Sequence, residues 1–85
     1  MNYLGIEFKW ELKADEKKFI KHLIDNGFTI IKHKQYITKL KLTIEKDNIT
    51  MPYELSADVV DMKSFLKMFD RNWELTKKIY ELEMK

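Results

Sequence analysis

Two histidines, a pair of aspartates and a run of lysines are the residues of this chain whose types and spacing could carry chemistry. His22 and His33 are not at the His-x-x-x-His spacing that sets two imidazoles on one helix face for a metal ion. Either could serve singly as a general base. With no neighbouring nucleophile or ligand set, both read as surface or rim histidines. Asp58 and Asp61 stand one helical turn apart at the start of the last helical stretch. Two carboxylates supply too few oxygens for a calcium or magnesium site, and acids in a first turn complement the helix dipole with no ligand at all. Gly5 and Gly27 are the only glycines, so no glycine-rich phosphate loop or dinucleotide fingerprint can be built. The absence of cysteine removes thiolate nucleophiles, thiolate metal sites and disulfides. The expectation is a protein that is not an enzyme, with no catalytic, cofactor-binding or metal residues and no cofactor.

The lysines are more suggestive. Lys32, Lys34, Lys39, Lys41 and Lys46 fall within fifteen residues, opposed only by Glu45. A basic, open sheet face can track a phosphate backbone. Such faces usually add exposed aromatics on which bases stack. Here Tyr36 has the inward parity, and Ile31 and Ile37 take the outward one. A solvated face, with lysines guarding against edge-to-edge aggregation, competes with the nucleic-acid reading and is favoured by that parity. The remaining basic residue types point the same way: Arg71 is the only arginine among sixteen basic residues, and planar bidentate reading of guanine or phosphate is an arginine speciality.

Eighty-five residues with 45% hydrophobic and 13% aromatic content specify one small domain, residues 1–85, with a real core rather than a disordered chain. The net charge of +2 is too small to argue for nucleic acid by itself. It is unevenly spread, with ten lysines against six acids up to residue 46 and six basic against eight acidic residues beyond. No run approaches the ~20 apolar residues of a membrane span. Glu7, Lys9 and Glu11 interrupt the place where a signal peptide would need an apolar stretch. A soluble, cytoplasmic protein with no membrane partner is expected.

These residues must be positioned by elements that the hydropathy pattern delimits. Leu4, Ile6, Phe8, Trp10 and Leu12 alternate with polar residues, which predicts a half-buried strand over 3–12 with Trp10 buried on its inner face. Asp15 reads as the N-cap of a helix over 15–26 that buries Phe19, Ile20, Leu23 and Ile24 and ends at Asn26-Gly27. Strands follow over 28–34, 36–45 and 49–55, the last two joined by a turn at Glu45–Asn48. Pro52 assigns the last of them to a sheet edge. Ser56 reads as the cap of a final helix that runs to the C-terminus, with a break at Asp70-Arg71-Asn72 as the alternative. The expected fold is α+β: a β-α-β-β-β-α order, a four-stranded mixed sheet and two helices on one face. Its first two strands would be parallel through a right-handed crossover, the rest an antiparallel meander. Many unrelated proteins share that order, so it implies no function.

The final helix carries more apolar residues than one sheet can cover. Met62, Leu66, Phe69, Trp73, Tyr80 and Met84 form one stripe with Phe65 beside it, which is ordinary core. Met68, Leu75, Ile79 and Leu82 form a second row displaced by about 130°. The first helix, a fold-back of the last helix or another chain could cover it. Contiguous exposed apolar surface on a small domain marks an interaction site. The leading functional expectation is therefore a non-enzymatic protein–protein interaction module, a small intracellular regulator, inhibitor or adaptor that forms a homodimer or binds a protein partner through Met68, Leu75, Ile79 and Leu82. The alternative is a nucleic-acid-binding domain using Lys32, Lys34, Lys39, Lys41 and Lys46.

Overall fold

The computed structural model describes residues 1–56 and 61–83. The chain opens with a miniature hairpin, β1 (Asn2–Tyr3) and β2 (Ile6–Glu7), turned by Leu4 and Gly5 at positive φ of 50° and 84°. Two consecutive left-handed residues make the tight turn whose twist matches paired strands. The single strand expected over 3–12 is thus folded back on itself. Its return is tied down by the Met1 amino group, which donates to Phe8 O (2.7 Å) and pairs with Glu7 (3.1 Å). Phe8 and Leu12 keep the alternation and are buried, but Trp10 does not follow and is 45% exposed. The chain bends at Lys9 and Trp10, so the pleat that would have carried Trp10 inward is broken there.

Helix α1 (Ala14–Asp25) starts earlier than Asp15: Lys13 occupies the cap position, and Glu16 Oε1 accepts the Lys13 N–H at 2.7 Å. Asp15 and Glu16 fall in the first turn, where they complement the dipole. At the other end Gly27, at φ 85°, lets the Phe28 N–H reach Leu23 O (2.9 Å). Three strands then form an antiparallel meander in the order β3 (Thr29–Gln35), β4 (Lys39–Lys46), β5 (Ile49–Ser56). The expected four-stranded mixed sheet is a three-stranded sheet plus the separate hairpin, and no parallel pairing occurs among the described residues. In place of a fourth strand, the Gln35 carboxamide accepts the Trp10 N–H (2.9 Å) and donates to Trp10 O (3.0 Å). One side chain does what a strand ladder would have done. Asp47 and Asn48 turn β4 into β5 without glycine, both at positive φ, a conformation these two residue types tolerate. Pro52 lies on edge strand β5, as its missing N–H requires.

Helix α2 (Met62–Glu83) runs unbroken through Asp70, Arg71 and Asn72. Ser56 is the last residue of β5 rather than a cap, and Asp58 lies outside the described residues. Asp61 takes the capping role: its carboxylate accepts the N–H groups of Lys63 (3.1 Å) and Ser64 (3.3 Å) and the Ser64 hydroxyl (2.6 Å). Both helices pack on one face of the meander, where Phe69 sits at the centre. Its ring lies 5.3 Å from Phe19, 5.4 Å from Phe28 and 4.8 Å from Tyr53. Trp73 continues the seam onto Phe28 at 5.0 Å, and His22 Nε2 meets Asp70 Oδ1 at 2.7 Å between the helices. Among the described residues no helix is long and apolar enough to cross a membrane.

Candidate interaction surfaces

Two exposed surfaces carry the residues singled out by the sequence. The first is the outer side of α2. Met62, Phe65, Leu66 and Tyr80 pack against the core, and Phe69 and Trp73 are within it. Met68 (53%), Leu75 (53%), Ile79 (58%) and Leu82 (71%) stand exposed on the other side. Neither α1 nor a fold-back of α2 covers them. Asn72, also exposed, belongs to the same line. Met68, Asn72, Leu75, Ile79 and Leu82 alternate steps of four and three, which keeps them on one seam of a 3.5-residue repeat. Sequence reasoning treated Asn72 as a helix-break residue; the alternating spacing was the signal that it belongs to the seam. Arg71, Glu74, Lys78 and Glu81 flank the row in solvent. Lys77 is turned away to an ion pair with Asp47 at 3.5 Å.

The second surface is the outer face of the sheet. Leu40, Leu42 and Ile44 of β4 are buried, so Lys39, Lys41 and Thr43 face outward. Cross-strand pairs place Lys32 beside Thr43 and Pro52, and Lys34 beside Lys41 and Glu54. An open depression of about 370 Å³ lies among Lys32, Lys34, Lys41, Thr43, Pro52 and Glu54. Lys46 is not part of this group: it has the parity of the buried β4 residues, and its ammonium lies 5.1 Å from the Phe28 ring. Four of the five lysines are brought together and one is not.

Tyr36 is the correction that matters. Its inward parity rested on counting it with β4, in phase with Leu40. It follows directly on β3 instead, and its N–H closes the hairpin on Lys39 O at 2.9 Å. The ladder slips between Ile30 and Lys32. One extra residue moves every later side chain to the opposite face. His33 and Gln35 therefore pair with inward-facing Leu42 and Leu40, whereas Lys32 and Lys34 point outward. Tyr36 follows them. Its ring lies among three ammonium groups, Lys34 at 5.4 Å, Lys39 at 5.3 Å and Lys41 at 5.7 Å, and is 36% exposed. Glu54 pairs with Lys41 (3.4 Å) and Lys39 (3.9 Å). Lys32 and Lys34 have no ion-pair partner among the described residues.

The remaining candidate residues make contacts within the fold. His33 lies against the buried Phe8 ring at 4.6 Å with the two rings tilted by 44°, and His22 ties α1 to α2. No group of three or more His, Asp or Glu residues could hold a metal ion among the described residues. The Ser64 hydroxyl and N–H hold the Asp61 carboxyl below the usual aspartate range, the signature of its capping role. The hydrogen bond and charge of Asp25 hold the Lys21 ammonium above its ordinary value across one helical turn. Compared with protein-family models, with curated proteins and with solved structures, the chain matches none of them.

Proposed function

We propose that this protein is a non-enzymatic interaction module, a small regulator, inhibitor or adaptor, that pairs with a second copy of itself through the outer seam of α2. The observation that carries the reading is the row Met68, Leu75, Ile79 and Leu82, each more than half exposed on a helix whose other side is already occupied by its own core. Burying an aliphatic side chain of this size is worth roughly 1.5–3 kcal/mol. A marginal domain with several of them in water gains much by covering them.

The residues around the row favour a second copy over an unrelated chain. In the 3.5-residue frame, Leu75 and Leu82 occupy one kind of seam position and Asn72 and Ile79 the other. Leucine and β-branched residues in this arrangement favour two parallel helices, and one asparagine in the seam fixes register and pair number. The flanks agree. In a parallel pair, Lys78 of one copy lies opposite Glu83 of the second, an attractive contact. In an antiparallel pair, Lys78 and Arg71 would meet each other, a repulsive one.

The natural absence of cysteine makes the test clean. Single variants Ile79→Cys and Leu82→Cys are oxidised mildly at micromolar concentration. A parallel, in-register pair sets each residue against its own copy, so both variants form disulfide-linked dimers in high yield. Cross-linking no greater than that of an exposed control such as Glu74→Cys counts against the reading.

A further inference from the structure

We infer that the outer sheet face is a binding site for single-stranded nucleic acid, with Tyr36 as the platform for one base and Lys32, Lys34, Lys39 and Lys41 as phosphate contacts. The inference rests on the β3 slip and is independent of the α2 seam.

Three ammonium groups converge within 5.3–5.7 Å of one aromatic ring whose residue is about a third exposed. Only Glu54 offsets them, through Lys39 and Lys41, while Lys32 and Lys34 remain without an ion-pair partner among the described residues. Like charges gathered in this way repel one another, and a chain of phosphates relieves that repulsion while releasing its own counterions. Charge alone would suit any polyanion. The ring selects among them, because every base has a face that stacks on an aromatic side chain. In a duplex the bases already stack on one another and are closed to Tyr36, so the single strand is the preferred form. Lysine cannot make the bidentate guanine contact of arginine, so recognition is tolerant of sequence. The depression bounded by Lys32, Lys34, Lys41 and Pro52 shares Lys34 and Lys41 with the surroundings of the Tyr36 ring and leaves room for a neighbouring nucleotide.

Glu54 provides a discriminating arm. Its carboxylate competes with phosphate for Lys39 and Lys41, so removing its charge tightens binding.

The test is fluorescence anisotropy of a labelled twelve-nucleotide oligothymidylate with the full chain at several salt concentrations. Affinity should fall with a log–log salt slope of about −3, from roughly 0.7 per phosphate contacted on a single strand. Tyr36→Ala should weaken binding by roughly 5- to 160-fold while Tyr36→Trp retains it, the range set by stacking one base. Lys41→Gln should weaken binding and make the slope shallower by about 0.7. Glu54→Gln should strengthen it. Circular dichroism checks that each variant keeps the fold. Repeating the titration with Leu75→Glu plus Ile79→Glu separates this site from self-association, since binding should persist in the monomer. The inference is overturned by no binding at about 50 mM salt, by a Tyr36→Ala variant that binds like wild type, or by a duplex bound as tightly as the single strand. Sedimentation with anionic phospholipid vesicles in place of oligonucleotide binding would also overturn it, assigning the face to a membrane surface.

Discussion

On the inner side of α2, Phe69 and Trp73 are sealed against Phe19, Phe28 and Tyr53; on the outer side, Leu75, Ile79 and Leu82 stand in solvent. Both sets are apolar and both recur at helical spacing. What separates them is the size of the surface that the rest of the chain can offer. A three-stranded sheet and one twelve-residue helix cover a single stripe of a 22-residue helix and no more. Periodicity shows which residues of a helix share a face, but only the extent of the partner surface decides whether that face becomes core or interface.

Substitutions on the two sides should therefore behave in opposite ways. Phe69→Ala removes the ring at the centre of the core and should cost about 3–5 kcal/mol in urea unfolding. Leu75→Glu plus Ile79→Glu should abolish self-association measured by light scattering yet leave the monomer's unfolding midpoint within error. A double variant that unfolds outright would assign the outer row to the core.

The same contrast applies at the N-terminal segment, between Phe8 and Trp10. Gln35→Ala removes both hydrogen bonds that hold Trp10 against β3 and should cost roughly 1–3 kcal/mol, at about 0.5–1.5 kcal/mol per bond. Trp10→Ala, by contrast, truncates a side chain that is nearly half exposed and should cost much less than truncation of buried Phe8. Equal losses for Trp10→Ala and Phe8→Ala would restore the uninterrupted strand. The smallest effect belongs to the α2 cap. Asp61 is held in its ionised form by Ser64, so its carboxyl titrates lower in the folded chain than in the unfolded one. Its contribution is fully present above the unfolded aspartate range and is lost as the pH falls through the folded value. Asp61→Ala should lower the melting temperature slightly at neutral pH, and the difference should shrink in acid.

How much of this was legible in the sequence follows from which signals are local. The α1 stripe at Phe19, Ile20 and Leu23, the Asn26-Gly27 stop, the edge assignment of Pro52 and the surplus row on α2 all rest on signals within one element and appear in the structure as expected, whereas Ile24, counted with the stripe, lies at its margin and is 37% exposed. The misses lie where one residue shifts the phase. Leu4 is not a turn former, so the fold-back at Leu4-Gly5 was hidden inside a run that alternates like a strand. The slip between Ile30 and Lys32 carries no glycine or proline to announce it. That one residue sends Lys32, Lys34 and Tyr36 outward, turning an argument against a nucleic-acid face into its main support. The alternating spacing that includes Asn72 is masked in the sequence, because asparagine in a helix suggests a break before it suggests a seam.

The central claim is that the outer row of α2 is an interface between copies of this chain, and light scattering over a range of protein concentrations tests it most directly. Wild type should move from the monomer mass of 10.4 kDa to twice that value as concentration rises, while Leu75→Glu plus Ile79→Glu stays folded at the monomer mass throughout. A wild type that remains monomeric at millimolar concentration, with Leu75 and Ile79 still in solvent, would contradict it.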